Sequence, residues 1–324
     1  MNIAATTVGA LLLAATPAFS AGFERVSVPD PSGPAIEVGI WYPSEVAPSL
    51  QQLGAYTQSV AAGGDIKGRN LPLIVMSHGS GGSFEGHYDT AIALAEAGFI
   101  VAGVTHTGDN YRDPSGMTRV ENRPRHIKAL VDYILASWPK HYTIDARRIG
   151  MFVFSAGGFT ALVALGAVPD MTKIPAYCAA YPDEWPCRKA REYPPGPLAP
   201  PEAFVHDPRI KAAVIAAPAL GFVFSKEGLA NVTAPIQLWR GDSDELLPHP
   251  RHAQNVYDGL ASKPEYHVVP NAGHFAFLAP CTPVLRQYAP EMICHDPAGF
   301  DRTAFHAEFN AAAVEFLKAK LSPQ

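Results

Sequence analysis

The sequence predicts an α/β fold in which a mostly parallel sheet is covered by helices on both faces. Strand candidates that are apolar along their whole length alternate with longer segments of helical periodicity. Strands of this kind are typical of parallel sheets that are buried on both sides. The chain has 324 residues, of which 48% are hydrophobic and 17% charged, so it can bury a large core.

The strand and helix candidates follow one another in a regular series. The first, at 36–43, alternates apolar and polar side chains, and we expect an antiparallel edge strand there. Apolar strand candidates follow at 71–77, 99–104, 148–154, 210–217, 235–240 and 266–269. Helical patterns lie near 88–97 and 123–137, from 156 onward, near 252–261 and over 303–321. In the last of these, apolar side chains recur at helical intervals and predict a face that docks on the sheet, namely Phe305, Phe309, Ala313 and Phe316.

One segment interrupts this series. Residues 169–208 are rich in proline, tyrosine and charge, and they are too long for an ordinary connection between a helix and a strand. We interpret them as an insertion above the carboxyl edge of the sheet. It is either a lid over a pocket or a solvated surface loop without a role in substrate contact. The chain shows no internal repeat, and we expect a single domain over residues 21–324.

The first twenty residues have the pattern of a signal peptide. They contain no charged side chain, have an apolar centre at 8–15, and end in Ala18-Phe19-Ser20. We expect cleavage after Ser20 and export to the periplasm or the medium; a buried N-terminal helix is the alternative. No run of about 18 apolar residues predicts a membrane span. The formal charge of -5 leaves no extended basic surface for nucleic acid.

The four cysteines fall into two local pairs. An exported chain meets an oxidising compartment, and four cysteines allow three pairings. We favour Cys178 with Cys187 and Cys281 with Cys294, because each pair closes a short loop with prolines and little regular structure. Neither pair has the CxxC spacing of zinc or redox sites. We therefore expect structural disulfides that contribute about 2 to 3 kcal/mol each.

The segment VFSAGG places Ser155 between a strand and a helix. A sharp turn there would hold the serine oxygen up at the carboxyl edge of the sheet, as a nucleophile elbow does. Gly157 and Gly158 are small neighbours on the helix side. On the strand side, Val153 occupies the position where the G-x-S-x-G pattern has its first glycine. A helix N-cap is the alternative role for Ser155.

A serine nucleophile needs a base, and an acid that orients the base, at the same edge of the sheet. Asp244 follows the strand candidate at 235–240, and His274 follows the one at 266–269. We therefore predict that His274 is the base and Asp244 the acid. Asp242 and Glu245 remain alternatives for the acid.

The predicted reaction also needs backbone donors for an oxyanion. The glycine-rich run at 78–82 directly follows the strand candidate at 71–77. It can aim the N–H of Ser80 at the same point as the N–H of Ala156. We interpret His78 as a residue that packs in the turn. Neither Gly-Lys-Ser/Thr nor G-x-G-x-x-G accompanies these glycines, which argues against phosphate binding.

A second polar motif follows the strand candidate at 99–104. His106 and Asp109 could pair at the rim of a pocket or bind a metal. Structural hydrogen bonding is the favoured interpretation, because no second ligand cluster occurs at a recognisable spacing. We expect neither a metal nor an organic cofactor.

Five motifs, taken together and in order, resemble one family: SHGSGG, FSAGGFTAL, DPRIKAAV, GDSDELLP and NAGHFAFL. Residues 35–280 resemble the predicted dienelactone-hydrolase-like branch of the α/β-hydrolases. More distantly, they resemble the platelet-activating-factor acetylhydrolase and polyester hydrolase group. Many members have glycine where this chain has Val153. True dienelactone hydrolases use a cysteine nucleophile, so a lactone substrate is not implied.

The resemblance implies an α/β-hydrolase fold and carboxylic ester hydrolysis. The implied triad is Ser155, Asp244 and His274, with the amides of Ser80 and Ala156 as the oxyanion hole. We expect an acyl-enzyme mechanism on a small-molecule or polymeric ester. An amidase or peptidase with the same triad and a catalytically silent binding module are the alternatives. The sequence specifies neither the natural substrate nor the oligomeric state.

Overall fold

The structure is a computed structural model that describes residues 19–323, and one ten-stranded sheet runs through this part of the chain. Its strands are β1 (Ser20–Val28), β2 (Ile36–Ser44), β3 (Ser49–Leu53), β4 (Tyr56–Ala62), β5 (Leu71–Ser77), β6 (Ile100–Thr105), β7 (Ile144–Phe154), β8 (Ile210–Ala216), β9 (Ile236–Gly241) and β10 (Glu265–Val269). Across the sheet the order is β10-β9-β8-β7-β5-β6-β2-β1-β4-β3. The strands from β5 to β10 are all parallel. The predicted mostly parallel sheet is confirmed.

Helices cover both faces of this sheet. Within residues 19–323 they are α1 (Tyr88–Glu96), α2 (Asn122–Ala136), α3 (Ala156–Ala164), α4 (Lys173–Ala180), α5 (Trp185–Glu192), α6 (Ala253–Gly259), α7 (Leu285–Tyr288), α8 (Glu291–Cys294) and α9 (Arg302–Lys320). On one face α2, α3 and α6 bury side chains such as Leu130 and Phe159. On the other, α1 and α9 bury Leu94 and Phe309. This two-sided burial explains why central strands such as β5, β6 and β8 are apolar over most of their length.

The antiparallel part of the sheet is larger than expected. β2 is antiparallel, as predicted, but it is not an edge strand, because it lies between β1 and β6. β3 and β4 form a hairpin that extends the sheet beyond β1. The edge strands are therefore β10 and β3.

The insertion at 169–208 is more regular than expected. It contains α4, α5 and a short 3-10 helix at Pro201–Ala203. A disulfide between Cys178 and Cys187 joins α4 to α5, so the first cysteine pair connects two helices instead of closing an irregular loop. Prolines lie in the first turn of both helices, where a missing N–H costs no hydrogen bond. The second disulfide links Cys281 to Cys294 at the end of α8.

The predicted signal peptide lies almost wholly outside the described residues. Its predicted last residue, Ser20, is the first residue of β1 and is paired with Ser44. Between residues 19 and 323, no helix combines the length and apolar character that crossing a membrane requires.

Candidate active site

Ser155 lies in a strained turn between β7 and α3. Its φ of 54° and ψ of -116° fall in a region that residues other than glycine rarely adopt, at a cost of about 1 to 3 kcal/mol. Backbone hydrogen bonds hold this conformation: the Ser155 N–H donates to Ala216 at 2.9 Å, and its carbonyl accepts from Gly158 at 2.8 Å and from Ala219 at 2.9 Å. Ser155 occupies the N-cap position of α3, but its side chain makes no capping hydrogen bond.

Close packing around the turn explains its small residues. A Cβ on Gly157 would lie 2.2 Å from the carbonyl oxygen of Ser77, and one on Gly158 would lie 2.4 Å from Pro218. The same Cβ on Gly157 would lie only 3.1 Å from the Cβ of Val153. Because Gly157 has no side chain, there is room beside it for the fully buried side chain of Val153.

His274 connects Ser155 to Asp244. Its Nε2 lies 3.0 Å from the Ser155 Oγ, and its Nδ1 lies 2.8 Å from the Asp244 Oδ2. All three side chains are buried. The other carboxylate oxygen of Asp244 accepts N–H bonds from Leu246 at 3.0 Å and Leu247 at 2.8 Å, which fix the carboxylate. These distances allow a base to take a proton from the serine hydroxyl.

The two alternative acids contact the backbone of the histidine loop and not its ring. Asp242 accepts a hydrogen bond from the Asn271 N–H at 2.7 Å. Glu245 accepts one from the N–H of His274 at 3.3 Å. Of the three candidates, the structure brings Asp244 to the imidazole.

The two predicted oxyanion donors lie beside the serine. Ser80 and Ala156 both line the cleft that contains Ser155. Ala156 begins α3, and first-turn amides have no acceptor within their helix. Among residues 19–323, the N–H of Ser80 has no backbone acceptor. A Cβ on Gly79 would lie 3.0 Å from the Ser155 Cβ, so glycine is what lets the loop approach Ser155.

The cleft at Ser155 has largely apolar walls. It has a volume of about 690 Å³, open solvent included. One wall comes from the loops after β6 and β8. The insertion supplies the other, through Met171, Ile174, Trp185, Pro186, Lys189, Ala190 and Pro195.

Aromatic and charged contacts dock the insertion on the rest of the molecule. Tyr177 of α4 stacks on Phe222 with ring centroids 3.5 Å apart. Glu184, which precedes α5, forms an ion pair with Arg251 and accepts a hydrogen bond from Tyr177. Burial raises the pKa of Glu184, but hydrogen bonds from His252 and its other partners outweigh this effect and lower the pKa to about 2. The carboxylate is therefore charged at neutral pH and holds the insertion in place.

The second polar motif lies behind the loop at 78–82. His106 is within 2.8 Å of the Ser77 hydroxyl, and Asp109 pairs with Arg123 of α2. Burial and the nearby Arg123 cation hold the pKa of His106 well below its usual value. Among residues 19–323, no group of three or more His, Cys, Asp or Glu side chains is placed to hold a metal.

Sequence reasoning missed Arg123. A signal was nevertheless present, because Arg123 shares the apolar stripe of α2 with Ile127, Leu130 and Ile134. A cation at such a position requires a buried partner.

Comparison with known proteins supports the fold. No protein-family model and no curated protein sequence matches the chain. A solved structure of a ferulic acid esterase from Streptomyces cinnamoneus matches with a TM-score of 0.62 and 20% identity, over 96% of this chain and 92% of that one. At this identity the similarity establishes the fold alone. The chain has the α/β-hydrolase fold, as the sequence resemblance implied; the narrower branch stays a prediction.

Proposed function

We propose that the protein is a serine carboxylic ester hydrolase that acts through an acyl-enzyme. The observation that carries this proposal is the hydrogen-bonded chain from Ser155 through His274 to Asp244, with distances of 3.0 and 2.8 Å, whose serine lines the cleft. The strain at Ser155 adds support, because strained backbone of this kind persists mainly at functional sites.

In the proposed mechanism, the Ser155 Oγ attacks the ester carbonyl carbon while His274 takes the hydroxyl proton. The resulting oxyanion accepts hydrogen bonds from the amides of Ser80 and Ala156. Asp244 orients and stabilises the imidazolium. The protonated His274 then gives its proton to the alcohol as the C–O bond to the leaving group breaks. Water repeats the sequence to release the acid and restore Ser155.

The cleft favours esters that carry an apolar group. Its walls include Met117, Val120, Ile174, Trp185 and Phe222, and burying apolar area against them stabilises a complex by about 25 cal/mol per Å². The similar structure is named an esterase, which supports ester over amide substrates. The two disulfides support the proposal that the protein is exported.

The proposal is tested with the purified chain from residue 21 onward. We expect hydrolysis of p-nitrophenyl acetate, and a decrease in kcat of about 10⁴-fold or more in Ser155→Ala. Ser262→Ala, a change at an exposed serine that does not line the cleft, is the matched control and keeps wild-type kcat. A folded wild type without turnover contradicts the proposal. Faster cleavage of p-nitroanilides than of esters favours the amidase alternative.

A further inference from the structure

The side chain of His78, in the loop at 78–82, belongs to a buried cluster of polar side chains that take no part in the proposed chemistry. The cluster consists of His78, His106, Asp109, Arg123 and His126. Within this cluster, Asp109 and Arg123 form an ion pair with side chains 4% and 1% exposed. Burial raises the pKa of Asp109 and lowers that of Arg123, and their mutual attraction opposes both shifts. A buried pair of this kind is tolerated only when further hydrogen bonds satisfy both charges.

Those further hydrogen bonds go to the backbone of the loop. Arg123 donates to the carbonyl of His78, and Asp109 accepts from the N–H of Gly81 at 2.9 Å. The Nε of Arg123 also donates to the hydroxyl of Thr160 at 3.2 Å. Thr160 lies on α3, the helix that starts at the nucleophile turn. The ion pair thus ties the loop after β5 to the helix that contributes the other oxyanion donor.

The ring of His78 fixes the peptide unit between Gly79 and Ser80. Its Nε2 accepts from the N–H of His106 at 3.0 Å, so the proton is on Nδ1, which donates to the Gly79 carbonyl at 2.6 Å. The N–H of Gly82 donates to the same carbonyl at 3.1 Å. In a planar trans peptide the C=O and the next N–H point in opposite directions. The two bonds therefore turn the N–H of Ser80 away from the cluster.

We propose that Asp109, Arg123 and His78 are positioning residues for the oxyanion hole. They hold the loop at 78–82 so that the Ser80 amide faces the oxygen of the tetrahedral intermediate, and none of them touches the substrate. The inference rests on the proposed esterase function. A purely structural role would lower stability and leave the kcat of the folded protein unchanged, whereas a positioning role lowers kcat in the folded protein.

The first test removes both charges at once, because removing one would leave the other buried and unpaired. In Asp109→Leu/Arg123→Met we expect kcat for p-nitrophenyl acetate to fall by about 10- to 100-fold with little change in KM. The inhibition constant of an alkyl boronic acid, which forms a tetrahedral adduct, should rise by a similar factor. The matched control, Asp207→Leu/Arg209→Met, removes an ion pair that precedes β8 at the opposite edge of the sheet and keeps wild-type kcat.

A second test does not depend on the ion pair. His78→Asn keeps an N–H near the position of Nδ1, and His78→Leu has none, so we expect the Asn variant to retain about 10-fold more kcat. A folded double variant with wild-type kcat and inhibitor affinity contradicts the inference. If that variant does not fold, equal kcat in the two His78 variants contradicts it instead. Failure of the proposed function is distinct, because the wild type itself would then be inactive.

Discussion

At the turn around Ser155, backbone space determines which residues are tolerated. Gly157 has no side chain because the Ser77 carbonyl occupies the position of a Cβ. Val153 departs from the glycine of the usual elbow pattern, yet it is fully buried against α3 and coexists with a 3.0 Å contact between Ser155 and His274. The glycine on the helix side is therefore the stricter requirement in this chain.

Gly157→Ala tests this requirement. The added Cβ meets backbone atoms that cannot rotate away, so we expect the free energy of unfolding to fall by about 1 to 3 kcal/mol and kcat to fall at least about 10-fold as the turn shifts. Urea unfolding and ester turnover measure the two effects. Gly196→Ala is the control, since its Cβ has no neighbour within 4 Å. Equal behaviour of the two variants would refute the steric argument.

Val153→Ala separates packing from catalysis. Removing two buried methyl groups should lower the free energy of unfolding by about 2 kcal/mol. We expect no gain in kcat, because the valine already fits beside Gly157. An increase in kcat of more than about 10-fold would show instead that the valine impairs the elbow.

Most residues of the candidate site could be predicted because they directly follow strands. Ser155 and His274 each follow a strand at the carboxyl edge, and chain order placed an acid between them. Spacing alone could not choose Asp244 over Asp242 and Glu245, because the choice depends on side-chain directions in one short loop. The role of Arg123 depends on contacts with the separate loop at 78–82, which no local pattern encodes.

At the scale of elements, α4 and α5 are the main departure from expectation. The many prolines and tyrosines of the insertion predicted irregular structure, but Pro175 and Pro186 fall in first turns of α4 and α5, and a disulfide joins the two helices. β3 and β4 were missed for a different reason, since their short polar sequences SLQQL and YTQSVAA give little apolar signal. Long apolar strands and α9, in contrast, were predicted within a few residues.

Trp185 of α5 lines the cleft, so the insertion should influence which acyl groups react. We expect Trp185→Ala to lower kcat/KM for p-nitrophenyl benzoate or octanoate about 10-fold more than for the acetate, because larger groups lose more apolar contact. Leu198→Ala, in an exposed part of the same insertion, is the control. A uniform effect on all three esters would argue against a role in selectivity.

At the scale of the whole molecule, five buried histidines couple stability to pH. Burial lowers the pKa of His87 and of His126 to about 4, holds the pKa values of His78 and His106 well below the usual value, and also lowers the pKa of His252. In the unfolded chain the pKa of each of these histidines is about 6.5. Below that pH the unfolded chain binds protons that the folded chain does not.

The free energy of unfolding should therefore fall as the pH falls from 7 towards 4. Each histidine contributes up to about 1.4 kcal/mol per pH unit over this range. Urea unfolding at pH 7.5, 6.0 and 5.0 measures how the free energy of unfolding changes with pH. His87→Leu should reduce this slope by the contribution of one histidine. Constant stability between pH 7.5 and 5.0 is inconsistent with five neutral buried imidazoles.

Three loops bring one hydroxyl, one imidazole and one carboxylate together, and we propose that this arrangement makes Ser155 a nucleophile. Intact-mass analysis after treatment with a fluorophosphonate tests this claim. We predict a single covalent adduct on Ser155, which is absent in Ser155→Ala and forms far more slowly in His274→Ala. A folded wild type that stays unlabelled, or that carries the adduct on a different residue, would contradict the claim.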